Sequence, residues 1–79
     1  MLRIDGLEDA FLGVAYRHGT DGPIAVYDRE LCIIAIMRDG LSRDSAEDWF
    51  QFNVEGAWIG EHTPIFLERQ PIWHEEEDG

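Results

Sequence analysis

Seventy-nine residues, 44% of them hydrophobic, make one domain near the lower end of what folds without disulfides or metals. With 17 Asp and Glu against six arginines and no lysine, the formal net charge is -11. That balance opposes direct binding to DNA, RNA or an anionic bilayer, because affinity for polyphosphate comes from basic residues that displace counterions.

Asp5-Gly-Leu-Glu8 reads as a helix start, with Asp5 accepting from the first amides and Glu8 reaching back as in a capping box. Leu7, Phe11, Val14 and His18 follow at helical spacing, Ala10 and Ala15 widen the stripe, and Gly19 is a stop, so a first helix is predicted there. Thr20-Asp-Gly-Pro23 is a turn, and Ile24-Ala-Val-Tyr27 is short and β-prone, a strand. Asp28 can cap the next element, a helix from Arg29 to about Asp39 whose run from Leu31 to Met37 is apolar nearly all round and belongs at the centre of the domain. A buried strand is the alternative; the capping aspartate, the alanine and methionine, and the Gly40 stop favour the helix.

Ser42 caps a third helix with Asp44 in its first turn. Ala46, Trp49, Phe50 and Asn53 fall on one side of it, and Asp44, Glu47, Asp48, Gln51 and Glu55 on the other. Like charges at these spacings repel, so the anionic face costs helix stability. Gly56 ends the helix, Trp58-Ile59 makes a brief extended contact, and Gly60-Glu-His-Thr-Pro64 is a connection. Ile65-Phe-Leu-Glu68 is a second strand, to be paired with Ile24 to Tyr27. The expected fold is α+β: about three helices packed with a short two-stranded antiparallel sheet in one compact domain over residues 1–73, followed by an acidic tail over 74–79.

Catalytic and metal signatures are missing from the pattern. His18, His62 and His74 lie far apart without ligand spacing, and the glycines form neither a P-loop nor a dinucleotide-binding turn. Cys32, the lone cysteine, cannot form an internal disulfide and reads as a buried, inert thiol, consistent with a reducing cytoplasm. Glu61-His62-Thr63 reads as a hydrogen-bonded turn. No metal, no cofactor and no enzymatic activity are expected. The N-terminus lacks the layout of a secretion signal, and no apolar stretch approaches the roughly 20 residues of a spanning helix.

Charge is therefore the feature that points to function. A compact chain of this length spans about 30 Å, over which duplex DNA carries on the order of 18 phosphate charges, a number similar to the carboxylate count here. The stretch from Tyr27 to Phe66, about half the chain, carries a further pointer. Tyr27-Asp28 precedes an aliphatic helix, then Gly40-Leu-Ser42, Ala46, Trp49, Phe50 and Phe52, Asn53-Val-Glu-Gly-Ala57 and Gly60-Glu-His-Thr-Pro64. This pattern resembles a family of small phage and prophage proteins, one relative of which is a type I-C anti-CRISPR protein. The shared positions are mainly apolar, Gly, Asn and Pro, and Asn53 reads as satisfying backbone groups at a helix end.

The resemblance implies an inhibitor acting in the host bacterial cytoplasm. It would bind the basic DNA-facing surface of a type I-C CRISPR surveillance complex and stop target DNA from loading, with no direct contact to nucleic acid or membrane. The acidic face expected to bind is Asp44, Glu47, Asp48 and Glu55, helped by Asp28, Glu30 and Asp39. The alternative is a phage structural or protein-interaction module, monomeric or a small homo-oligomer, using exposed Trp58, Trp73 or Phe66 as hydrophobic anchors.

Overall fold

A computed structural model describes residues 2–70. The chain runs through a short 3-10 turn (Glu8–Ala10), strand β1 (Phe11–Ala15), strand β2 (Ile24–Asp28), helix α1 (Arg29–Met37), helix α2 (Arg43–Phe50), a wide π-helical turn (Gln51–Glu55) and strand β3 (Ile65–Leu67). The three strands form one mixed sheet in the order β1-β2-β3. The protein is thus a small α+β domain of two helices and a three-stranded mixed sheet.

The expected first helix is instead a turn and a strand. Leu7 and Ala10 are buried as the helical stripe would have them, but Phe11–Ala15 is extended and pairs antiparallel with β2 through Val14↔Ala25 and Ala15↔Ile24. Gly13 weakens a helix at this point, and Phe11 and Val14 suit a pleated surface. The Thr20-to-Pro23 turn brings the segment back beside a strand that would otherwise lack a partner for one row of ladder groups. Glu8 does reach back, but its carboxylate accepts from the amide of Gly6 at 3.1 and 3.2 Å and closes a turn.

Strand β3 joins the other side of β2, as the pairing of the two β-prone runs anticipated, but in parallel: Val26 stands opposite Ile65, Tyr27 opposite Phe66 and Asp28 opposite Leu67. Both helices and the connection after them lie between β2 and β3, and a crossover of that length returns the chain in the same direction. The connection is anchored by Thr63, whose hydroxyl donates to the Gly60 carbonyl at 2.6 Å and accepts from the Ile59 amide at 2.8 Å. His62 Nε2 hydrogen-bonds the Asp21 carbonyl and ties this turn to the β1–β2 turn.

Asp28 and Ser42 cap the two helices as read from sequence, accepting from Leu31 N at 3.0 Å and Ser45 N at 3.2 Å. The core lies between the helices and one face of the sheet, with Leu7, Ala10, Ala25, Tyr27, Cys32, Ile33, Ala46 and Phe50 buried together. Phe66 packs on it, 6.0 Å from the Tyr27 ring and 5.0 Å from the Phe50 ring between centroids. Helix α1 does not lie at the centre: Cys32 and Ile33 are buried, while Leu31 and Ile34 reach solvent, because the sheet and α2 together cover only part of its circumference. Tyr27 also holds the N-terminal segment, its hydroxyl accepting from Ile4 N at 2.8 Å.

Candidate macromolecule-binding surface

The seven carboxylates expected to form one binding face have three different fates. Asp28 is buried at the β2–α1 junction, where it caps α1 and takes an ion pair from Arg69 Nε at 2.7 Å. Its charge is committed to the fold. Glu30 and Glu47 are brought together across α1 and α2 by Arg43, which holds Glu30 through two hydrogen bonds of 2.6 and 2.7 Å and Glu47 through one of 3.0 Å. That clamp holds the Glu30 carboxyl below the ordinary carboxylate range and raises the Arg43 guanidinium.

Glu55 is bidentate with Arg29, at 3.0 and 3.2 Å, and the Arg29 guanidinium lies 5.5 Å from the centroid of the buried Phe50 ring. The π-helical turn places Glu55 there, since the extra residue rotates the chain after α2 relative to a regular α-helical continuation. Asp39, Asp44 and Asp48 are exposed and take no ion pair among the described residues. Asp44 and Asp48 stand four residues apart on α2, one helical turn. Asp39 sits apart, after the end of α1, at the rim of an apolar concavity beside Trp49.

The arginines explain how so acidic a chain packs two helices. Arg29, Arg38, Arg43 and Arg69 all lie within 4 Å of a carboxylate, and the Arg3 guanidinium covers the Phe11 ring at 4.6 Å. Most of the cations thus have partners within the chain, Arg17 alone bonding only the Thr20 hydroxyl among the described residues, and the outward surface keeps the negative excess. Across extents of 40 × 36 × 20 Å the described residues carry thirteen carboxylates against six arginines. A 40 Å length of duplex DNA carries about 24 phosphate charges, so the molecule matches part of a DNA backbone's charge and not its full density.

Large apolar groups share this surface. Trp49 is 48% exposed, Phe52 83% and Trp58 73%. The helical spacing placed Trp49 on the buried side of α2; Ala46 and Phe50 fill that side, and Trp49 falls at its margin. Asn53 donates from Nδ2 to the Trp49 carbonyl at 3.0 Å, the backbone role read from sequence. Of the three expected hydrophobic anchors, Trp58 is exposed, Phe66 is drawn into the core by its two ring contacts, and Trp73 lies outside the described residues, as does the acidic run 74–79. Phe52 and Asp5 were not singled out as surface residues. A second aromatic two residues after the buried Phe50, and so turned away from its side of the helix, was the available signal for Phe52.

Among the described residues, no group of three His, Cys, Asp or Glu is placed to hold a metal ion, and no helix is long and apolar enough to cross a membrane. Cys32 is fully buried, and burial, with the Asp28 charge nearby, pushes its thiol up to about 11. No protein-family model, curated protein or solved structure matches this chain.

Proposed function

We propose that the protein is a non-enzymatic inhibitor that occupies a basic, DNA-binding surface of another protein, with a type I-C CRISPR surveillance complex as the partner in a bacterial host cytoplasm. The observation that carries this reading is the arrangement of charge. Four of the six arginines pair with carboxylates of this chain, while Asp44 and Asp48 project from one side of α2 without a cation among the described residues. A surface of one sign steers encounter with a surface of the other and rejects like-charged partners. The likeness of the Tyr27-to-Phe66 pattern to phage proteins that include an anti-CRISPR member supplies the choice of partner.

The test is a pull-down of purified surveillance complex at two salt concentrations, alongside target duplex binding by the same complex. Capture that weakens with salt, together with loss of DNA loading, is the expected result. The double reversal Asp44→Lys/Asp48→Lys should weaken capture at least about tenfold, the size of effect that a few charge pairs at an interface produce. Its unfolding midpoint should fall only modestly, because neither carboxylate is ion-paired among the described residues and the fold loses only the favourable placement of Asp44 in the first turn of α2, about 0.3–1 kcal/mol. Capture and folding lost in equal measure would defeat the assignment.

Exposed Phe52 and Trp58 favour a second reading, a phage interaction module that associates through apolar contacts, with itself or another chain. Its signature is self-association that persists at high salt, read by sizing at two ionic strengths.

A further inference from the structure

Behind Trp49 the structure has a concavity of about 180 Å³ with Leu7, Ile36 and Val54 in its apolar lining and, among the described residues, Asp5 and Asp39 as its only charged lining residues. A volume of about 150 Å³ is enough for a benzene-sized group, so this one takes a single long side chain. We propose that it is the docking site for an arginine side chain of the protein partner, the propyl stem lying on the apolar lining, the guanidinium stacked on the Trp49 indole and held by Asp5 and Asp39. The inference rests on the reading that the partner is a basic protein.

Charge complementarity selects the occupant. Both carboxylates are exposed, and neither takes an ion pair among the described residues, so a cation entering the concavity meets two uncompensated negative groups beside the Trp49 side chain. The same chain shows what such a set of groups holds. Arg29 lies 5.5 Å from the Phe50 ring centroid and is bidentate to Glu55, and Arg43 is gripped by two carboxylates at once. At Trp49 the ring and the carboxylates are present, and no basic residue among the described ones lines the space. Arginine fits better than lysine because its planar, weakly hydrated guanidinium can stack on an indole and donate to two carboxylates together.

The experiment titrates the intact, isotopically labelled protein with acetyl-Gly-Arg-Gly-amide and with its lysine, citrulline and norleucine counterparts, following the Trp49 indole N–H resonance. That resonance is assigned from the Trp49→Phe spectrum. The arginine peptide should give a saturable shift at about 1–10 mM, as expected for one exposed cation–π and ion-pair contact. Binding should be at least about tenfold weaker for the uncharged citrulline and norleucine peptides and in Asp5→Asn/Asp39→Asn. The lysine peptide should bind more weakly than arginine by severalfold. Equal shifts for arginine and citrulline, or an arginine shift unchanged by the double amide variant, overturn the proposal.

The same double variant separates this inference from the functional reading. If the arginine peptide binds at Trp49 but the surveillance complex is never captured, the choice of partner falls and the pocket stands. If the complex is captured and Asp5→Asn/Asp39→Asn leaves both capture and DNA loading untouched, the pocket falls and the groove-blocking reading stands.

Discussion

Asp28 serves the end of β2 and the start of α1 at once, its carboxylate receiving the Leu31 amide and the Arg69 guanidinium from two sides. Cys32, one turn into the helix, is affected by that neighbour. Its thiol is fully buried, and burial first, the Asp28 charge second, moves it from the ordinary 9.0 to about 11. A thiol held at that value is about 0.1% thiolate at pH 8, and only the thiolate alkylates. Iodoacetamide at pH 8 should therefore modify the native protein at least about a hundredfold more slowly than the denatured chain, and similar rates would show that the thiol is open to solvent. The raised value also has a stability consequence. The proton is held more tightly in the folded state, so this contribution is complete below pH 9 and is lost as the pH rises toward 11. Over that window stability should fall with a slope of up to about 1.4 kcal/mol per pH unit that Cys32→Ala lacks.

The α2 element ends in a turn that a regular helix would not contain. The Gly56 amide donates to the Gln51 carbonyl five residues back at 2.9 Å, and a Cβ added at Gly56 would stand 2.8 Å from that same oxygen. Gly56→Ala must open the turn and move Glu55 away from Arg29, at a cost of about 1–3 kcal/mol, the usual range for forced overpacking. For a domain of this size, a midpoint lower by at least about 4 °C is the expected result, whereas an unchanged midpoint would mean that the wide turn relaxes freely. Sequence carried this boundary as a glycine stop, and it carried Asp28 and Ser42 as caps, because those signals act within four residues. It misplaced Phe11–Ala15 because Phe11 and Val14 stand at helical spacing, and five residues are too few for their period to decide between a helix and a strand. The neighbour that decides between them lies across a turn. The parallel sense of β3 and the concavity beside Trp49 depend on chain segments tens of residues apart, which no local period encodes. The acidic outer face of α2 was legible as composition; that Arg43 would close Glu30 onto Glu47, leaving Asp44 and Asp48 as the free pair, required the packing of α1 on α2.

For the molecule as a whole, charge acts on folding and on binding with opposite signs. An excess of negative charge, thirteen carboxylates against six arginines among the described residues, repels itself, and this repulsion is long-range, so it weakens as the Debye length shrinks from about 30 Å at 0.01 M salt to about 8 Å at 0.15 M. Added salt should raise the thermal midpoint over that interval, although it also loosens exposed ion pairs such as Arg38 with Asp9, since those pairs contribute little. Acid acts in two stages. The first protons taken up relieve repulsion, while the Glu30 and Glu8 carboxyls, held low by the Arg43 guanidinium and by backbone amides respectively, stay ionised. A depressed carboxyl contributes stability that is present above its unfolded value and disappears as the pH falls through its folded one. The midpoint should accordingly hold or rise from pH 7 to about 5 and fall below about 4, with a shallower fall in Glu30→Gln. Binding to a basic partner must respond to salt the other way, because the attraction being screened is between opposite charges. A capture lost at 0.15 M salt while the thermal midpoint rises cannot be unfolding, so measuring both on one preparation isolates the electrostatic interface. A midpoint that falls as salt is added would instead mean that the arginine clamps, and not the repulsion, dominate the charge energetics of the fold.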